Sequence, residues 1–370
     1  MAASAAAAGS GPGAPDFRFL PTAIEWTTEL PDGPVSPPVL SGEHVIVALQ
    51  SGVVLARRVA TGEDVWARQL AVTIPLAAGD GLVIAGVEGR VEALAVDGSG
   101  ETRWTVPLAQ VTAPPLVRGG WVILAVEGRL LALRAADGAE VWSQSIGAVE
   151  RRPAIDGDAL YVPVADGRLL ALDLASGTER WARPVGADPT EPLVYGDRIY
   201  LGAGKALVCL ARDDGREAWR FRVGAAIVGA PAADADRIYI ASMDNLLRAF
   251  RRSSGAREWK QDLGRRPSAG PVLTGDTVSV PGRTAALRGF NKATRAPVAE
   301  LKLPYPAVTP PALRPPVNGE PGILAAVVHD LGKPWMLVLA SEAPPAPPPL
   351  PLVPLSDVPG TSLPLPGIAQ

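Results

Sequence analysis

Residues that could carry catalysis or bind a metal are few in this chain of 370 residues. The histidines are His44 and His329, and Cys209 is the single cysteine. Two distant histidines and one cysteine cannot build a zinc site of the usual spacing, and no intrachain disulfide can form. Neither histidine belongs to a recognisable motif with Ser or Cys that would indicate an activated nucleophile. The sequence therefore predicts no catalytic residue, no metal site and no cofactor-binding residue.

Pairs of acidic residues are the remaining candidates for a metal site. They are Asp156 and Asp158, Asp213 and Asp214, and Asp234 and Asp236. Each pair falls at a predicted turn, where an Asp side chain accepts hydrogen bonds from nearby backbone amides. Turn formation explains the pairs, and a calcium site is the alternative.

Tryptophan spacing is the strongest signal in the sequence and shows which elements must position any site. Seven tryptophans follow one another at steps of 38–40 residues: Trp26, Trp66, Trp104, Trp142, Trp181, Trp219 and Trp259. In the seventh copy of the repeat, Val298 is expected to occupy the tryptophan position. A fixed period of this length indicates a repeat architecture in which each unit stacks on its neighbours. We interpret the seven tryptophans as structural.

Each repeat contains four short apolar runs separated by turn residues. In the clearest copy, the turns are Asp156-Gly157-Asp158, Asp166-Gly167 and Ser176-Gly177. The runs between them are about 4–7 residues long, which suits strands and leaves little room for helices. Repeated units of four antiparallel strands predict an all-β fold, a β-propeller.

Counting strands predicts eight blades. First strands begin near Pro38, Pro75, Pro115, Pro153, Pro192, Pro231, Pro271 and Pro311. The segment around Trp26 has the pattern of a fourth strand but has no first three strands before it. The last repeat ends near Ala340 and lacks a fourth strand. We therefore expect the N-terminal strand to complete the last blade and close the ring, which leaves no large unprotected edge.

The repeat resembles that of the quinoprotein-like (PQQ-like) propeller family. That resemblance lies in the pattern Ala-Leu-Asp-x-x-Thr/Ser-Gly-x-x-x-Trp, which matches residues 171–181, and in pieces of it that recur in register at 61–66, 137–142, 214–219 and 254–259. One branch of the family contains quinone-dependent dehydrogenases. The other contains cofactor-free scaffolds, such as the propeller lipoprotein of the outer-membrane β-barrel assembly machine. Size and blade number place the chain nearer the scaffold branch.

The resemblance also guides the interpretation of single residues. In this family the repeat tryptophan packs between neighbouring blades. Quinone dehydrogenases of this fold are expected to show an adjacent cysteine pair and a set of calcium ligands. One cysteine excludes the first, and the second cannot be located in the sequence. The resemblance therefore implies a protein that is not an enzyme and has no cofactor.

One group of charged residues is a candidate interaction face. The links that enter the first strands carry Arg151, Arg152, Glu191, Arg265 and Arg266. In a propeller these links share a face with the turns between second and third strands, which add Arg90, Arg129, Arg168 and Lys205. Binding residues commonly lie on loops held by a rigid scaffold. A mixed, solvated surface is the alternative, because Glu88, Glu127 and Asp166 offset the charge.

Composition bounds the class of partner and the domain limits. A net charge of −3 with 20% charged residues gives no electrostatic case for nucleic-acid binding. No run approaches about 18 apolar residues without Pro or Gly, so we predict no transmembrane segment. We expect a flexible segment over 1–21, the propeller over 22–340, and a Pro-rich disordered tail over 341–370. The tail has ten prolines among residues 343–370.

These observations lead to a functional hypothesis with one rival. The chain is expected to be a monomeric, non-catalytic scaffold that binds a protein partner, with cell-envelope protein assembly as its setting. The rival is a quinone- or small-ligand-binding redox or sensor propeller. Neither a signal peptide nor a lipobox is evident near the start. Taken as given, the chain would be cytoplasmic, and the family suggests the periplasm or cell envelope as the alternative.

Overall fold

The computed structural model describes residues 23–314 and 322–341, and these form eight sheets of four antiparallel strands. The first strand of the chain is β1 (Ala23–Leu30). The next sixteen strands form blades 1–4 in chain order: β2 (Val39–Ser41), β3 (His44–Ala48), β4 (Val53–Arg58), β5 (Asp64–Gln69), β6 (Ala77–Gly79), β7 (Leu82–Val87), β8 (Arg90–Ala95), β9 (Thr102–Pro107), β10 (Leu116–Arg118), β11 (Trp121–Val126), β12 (Arg129–Arg134), β13 (Glu140–Ser145), β14 (Ala154–Asp156), β15 (Ala159–Pro163), β16 (Arg168–Asp173) and β17 (Glu179–Pro184).

Blades 5–8 continue the same order of strands. They contain β18 (Leu193–Tyr195), β19 (Arg198–Ala203), β20 (Ala206–Ala211), β21 (Glu217–Arg222), β22 (Ile227–Ala233), β23 (Arg237–Ser242), β24 (Leu246–Arg251), β25 (Arg257–Asp262), β26 (Val272–Thr274), β27 (Thr277–Ser279), β28 (Ala286–Asn291), β29 (Pro297–Lys302), β30 (Ala312–Arg314), β31 (Ile323–Val328) and β32 (Trp335–Ser341). Every regular element in the described residues is a strand.

The ring closes as the sequence predicts. The last sheet has the order β1-β32-β31-β30, so the N-terminal strand is the outer strand of blade 8. Trp26 stands opposite Leu339, and Leu30 stands opposite Trp335. The first strands β2 and β30 also contact each other across the junction of blades 1 and 8. These pairings confirm the eight-bladed, all-β propeller closed by the N-terminal strand.

Burial follows the position of each strand in the blade. The second and third strands are buried along most of their length, as in β3, where all five residues are buried. Each blade packs between two others, so both faces of its middle strands are covered and the strands are apolar throughout. The fourth strands alternate exposed residues with the buried tryptophan, as in β17. The first strands contact the first strands of neighbouring blades and therefore lie nearest the axis.

Tryptophan and glycine form a repeated joint between blades. Trp142 of blade 3 donates its Nε1–H to the backbone oxygen of Leu174 in blade 4, with Nε1 and oxygen 2.8 Å apart. A Cβ added at Gly177 would lie 2.6 Å from Trp142 Cδ2, so the indole packs directly on the glycine backbone. The same ring-to-glycine contact joins Trp26 to Gly62, Trp66 to Gly100, Trp104 to Gly138, Trp181 to Gly215 and Trp219 to Gly255.

Blade 7 departs from this joint at two positions. Gly289 stands opposite Ala299, which is the register position that tryptophan holds in the other blades, as in the pair Ala249 and Trp259. The prediction that Val298 fills this position is wrong. A β-bulge inserts one residue before each repeat tryptophan, and Val298 is that inserted residue, 37% exposed. Arg295, with φ of 67°, replaces the glycine of the turn that faces Trp259.

The predicted chain ends lie outside the described residues. These are the flexible segment 1–21 and the Pro-rich tail 341–370, except for Ser341, which the structure places as the last residue of β32. The limits proposed for the propeller, 22–340, therefore stay a prediction. Within 23–314 and 322–341, no helix is long and apolar enough to cross a membrane.

Candidate functional site

Two faces of the ring carry its loops. One face holds the links between blades and the turns between second and third strands, and we call it the link face. Backbone pairing joins these two kinds of segment, as between Val111 and Val126 and between Val72 and Val87. The opposite face, which we call the turn face, holds the turns between first and second strands and between third and fourth strands. Antiparallel order within each blade puts all links on one face.

The predicted interaction residues lie on three different links of the link face. Arg151 and Arg152 are exposed between blades 3 and 4, and Glu191 is half-buried between blades 4 and 5. Between blades 6 and 7, Arg265 is half-buried and Arg266 is exposed. In the described part of the chain, no side-chain hydrogen bond or ion pair joins the three links. The residues share a face, but the ring spreads them around its axis.

Two of the four cations in the neighbouring turns, Arg90 and Arg168, are neutralised by local carboxylates. Arg168 Nη2 lies 2.7 Å from Asp166 Oδ2, and the hydrogen bond from Arg168 holds the pKa of Asp166 below its usual range. Arg90 Nη2 lies 2.7 Å from Glu92 Oε1. Among the described residues, Arg151, Arg152 and Arg266 have no such ion pair. Among the described residues, the unpaired positive charge of the link face therefore comes from the links and from Arg129 and Lys205 in the turns.

Exposed apolar side chains on the link face were missed by the sequence reasoning. Leu331 is 93% exposed in the turn between β31 and β32. Met243, in the corresponding turn of blade 6, is 42% exposed, and Val35, in the link between blades 8 and 1, is 45% exposed. The signal that could have revealed them is an apolar residue beside turn residues, as in Asp330-Leu331-Gly332.

A stacked pair of rings supports the Leu331 turn. His329 and Trp335 flank this turn, and their ring centroids lie 3.9 Å apart with 15° between the ring planes. Gly33, in the link from blade 8 to blade 1, lies against the indole, so a Cβ there would be 2.9 Å from Trp335 Cζ2. Trp335 therefore packs at the surface of the link face, outside the register of the repeat tryptophans.

The side chains considered for metal or redox chemistry do not assemble into a site. Cys209 is fully buried in β20, and burial raises the pKa of its thiol to about 12, which keeps it protonated and unreactive at neutral pH. His44 lies in blade 1 and His329 in blade 8. Of the residues that the structure describes, no three or more His, Cys, Asp or Glu side chains could together hold a metal ion.

Comparison with known proteins identifies one family model and several similar structures. Residues 60–194 and 190–309 match the model described as outer membrane protein assembly factor BamB. BamB from Moraxella catarrhalis has a TM-score of 0.69 at 22% identity, with 86% of this chain and 97% of that chain covered. Quinohemoprotein alcohol dehydrogenase from Comamonas testosteroni has a TM-score of 0.66 at 14% identity, with 86% and 76% covered. Both identities are low enough that the structural likeness shows the fold alone. A comparison with curated protein sequences gives no match.

Proposed function

The chain belongs to the family of the outer membrane protein assembly factor BamB, whose model matches it over residues 60–309, and on that premise we propose that it is a non-catalytic scaffold for protein partners in cell-envelope protein assembly. The family membership supports the assembly setting. The absence of a recognisable catalytic set in the sequence supports the non-catalytic role.

The link face is the proposed binding surface. The observation that carries this assignment is the exposure of Leu331 and Met243 on the same face as the unpaired Arg151 and Arg152. Protein interfaces are enriched in Met and Arg, and they combine an apolar centre with a polar rim. A loop surface on a rigid ring also loses little conformational entropy on binding, because its scaffold is already ordered.

The rival function, a quinone- or small-ligand-binding redox or sensor propeller, has weaker support. Its main support is the likeness to the quinohemoprotein dehydrogenase, at 14% identity. Likeness at that level concerns the fold, and propellers of one fold carry unrelated functions.

Site-specific photo-cross-linking tests the scaffold proposal. A photoreactive phenylalanine analogue replaces Leu331 or Met243 in one set of cells, and Val141 in a control set. Val141 is 43% exposed but lies near the start of a fourth strand, β13, at the opposite end of the blade from the link face. We expect the two link-face positions to cross-link one defined envelope protein, and the yield to fall when Arg151→Glu and Arg152→Glu are added. Equal cross-linking from Val141, or none from the link face, would contradict the proposal.

A further inference from the structure

A groove on the turn face is lined by four arginines, whereas the equivalent groove between blades 4 and 5 is lined by two. The groove with four arginines has a volume of about 500 Å³ and lies between blades 5 and 6. Arg198 of blade 5 lines it together with Arg237, Arg251 and Arg252 of blade 6. The lining carboxylates are Asp197, Asp236 and Glu258. The groove is therefore a concentration of guanidinium groups that are not fully matched by the acidic residues around them.

An equivalent groove between blades 4 and 5 serves as an internal comparison. Its volume is about 320 Å³, and Arg212 occupies in it the place that Arg252 has in the larger groove. The two positions are equivalent because the backbone N–H of Arg212 donates to Asp197 O and that of Arg252 donates to Asp236 O, in the same turn of successive blades. The chain thus presents one groove geometry twice, with different side chains.

The two arginines differ in their carboxylate partners. Arg212 Nη1 lies 3.2 Å from Asp156 Oδ2, and Arg212 Nε lies 3.5 Å from Asp213 Oδ1. In the blade 5–6 groove the corresponding residues are Tyr195 and Ser253, and neither can neutralise a guanidinium. Within the described residues Arg252 forms no ion pair.

Arg252 is nevertheless held in position. Its Cζ lies 4.7 Å from the centroid of the Tyr195 ring, in the geometry of a cation–π contact. That contact orients the guanidinium without neutralising its charge, because the aromatic ring contributes no formal charge. The hydrogen-bond donors of Arg252 are therefore pre-ordered for an anionic acceptor.

Two of the remaining arginines of the groove share one carboxylate, and the third has a long contact with another. Arg237 Nε lies 2.6 Å and Arg251 Nε lies 3.3 Å from oxygens of the same residue, Glu258. Arg198 occupies the position that Ala159 has in blade 4. Its Nη2 lies 3.6 Å from Asp197 Oδ2. Below them is the fully buried Tyr200, whose hydroxyl has no oxygen or nitrogen partner among the described residues.

From this comparison we propose that the blade 5–6 groove binds an acidic peptide segment of a partner protein, with Arg252 as the principal carboxylate contact. A guanidinium donates paired hydrogen bonds to a carboxylate, and arginine clusters are a recurring means of recognising acidic motifs. The four guanidinium groups belong to two blades. A peptide with several carboxylates can therefore contact more of them than a single small anion can. The proposal rests on the scaffold function but concerns the opposite face of the ring.

Peptide binding to the purified full chain tests the site. The probe is a fluorescein-labelled peptide of alternating Glu and Gly, its binding is followed by fluorescence anisotropy, and the matched control peptide has Gln for Glu. We expect the Glu peptide alone to bind and Arg252→Gln to weaken it by about tenfold or more. Arg212→Gln should leave binding unchanged, because that arginine is already paired with two aspartates.

A graft between the two grooves separates a specific site from general attraction to charge. Tyr195→Asp combined with Ser253→Asp copies the blade 4–5 arrangement and should abolish binding. Because Tyr195 packs against the core, thermal denaturation checks that the ring stays folded at the assay temperature. The proposal is overturned if the Glu peptide does not bind, if Arg212→Gln weakens it as much as Arg252→Gln, or if the graft binds as before. Equally tight binding of citrate would also overturn it, since the groove would then take small anions. None of these outcomes changes the cross-linking result expected on the link face.

Discussion

At the scale of single residues, the joint between blades depends on a ring and a glycine that must be present together. Gly177 has φ of 72°, and any side chain there would collide with the indole of Trp142. Trp142 also satisfies the backbone oxygen of Leu174 in the next blade. Each joint therefore combines close packing with a hydrogen bond that spans two blades, and losing the indole removes both.

Removing the repeat tryptophans should be costly. We expect Trp142→Ala and Trp181→Ala each to lower the free energy of unfolding by about 3–5 kcal/mol, the range for truncating a large buried aromatic. Trp335→Ala should cost less, because Trp335 is only half-buried at the link face. Urea denaturation measures all three. If Trp335→Ala proved the most damaging, the assignment of the repeat positions would be incorrect.

Arg295 should be a site where glycine stabilises the ring. Arg295 has φ of 67° in the turn of blade 7 that matches the Gly177 turn of blade 4. A left-handed conformation costs a non-glycine residue about 1–2 kcal/mol, and glycine's greater freedom in the unfolded chain offsets part of that gain. Arg295→Gly should therefore raise the free energy of unfolding by about 0.5–1 kcal/mol. The matched variant Gly177→Ala should lower it, and a loss of stability in both variants would contradict the explanation.

At the scale of elements, one strand decides whether the ring is closed. Strand β1 pairs with β32 along most of its length, and Trp26 on β1 donates its Nε1–H to Val59 O in blade 1, with the two atoms 2.7 Å apart. The same strand thus completes blade 8 and joins it to blade 1. Without it, β32 would become an open edge with unpaired backbone groups.

Truncation from each end tests this dependence on closure. Deleting residues 1–30 should lower the melting temperature markedly, because it removes β1 and the Trp26 joint. Deleting residues 343–370, which lie beyond β32, should change the melting temperature very little. Differential scanning calorimetry compares the two truncated chains with the full one. Equal tolerance of both deletions would rule out closure by the N-terminal strand.

At the scale of the whole molecule, the two faces of one ring present different chemistry. The link face combines exposed Leu331 and Met243 with unpaired arginines, whereas the turn face has the arginine groove between blades 5 and 6. The net charge of −3 is small, so attraction to a partner must come from such local patches. If the proposed scaffold function holds, the two faces allow the ring to contact two partners at once.

The non-catalytic proposal leads to a test on the whole protein. Reconstitution with PQQ and Ca²⁺, followed by a dye-linked assay with alcohols and aldose sugars, should give no turnover. Any weak binding of the anionic quinone should fade with salt, as the Debye length falls from about 10 Å at 0.1 M to about 3 Å at 1 M. Replacing Arg151, Arg152, Arg265 and Arg266 by Ala should remove that residual binding. Stoichiometric PQQ binding with turnover would refute the scaffold function.

Much of the fold could be predicted because its determinants are local in sequence. Turn residues such as Asp156-Gly157 end one strand and begin the next within a few positions, and the tryptophan period repeats that unit. Strand counts at the two ends were enough to predict closure, since an orphan strand and an incomplete blade complement each other. The position of Ala299 was missed because the repeat step varies from 38 to 40 residues and no tryptophan marks the register in blade 7, so only the pairing of strands shows it.

The two candidate binding sites depend on contacts between blades, and the sequence alone does not show which side chains make those contacts. Arg212 and Arg252 occupy equivalent positions in sequence, yet the partner of Arg212, Asp156, lies 56 residues away in another blade. Whether an arginine is neutralised or free therefore depends on which side chain the neighbouring blade places beside it. By itself the sequence determined the blades and their closure, because local turn chemistry and a repeated period dictate them. Only the tertiary structure decided which charges and apolar side chains remain unpartnered, because partners come from neighbouring blades.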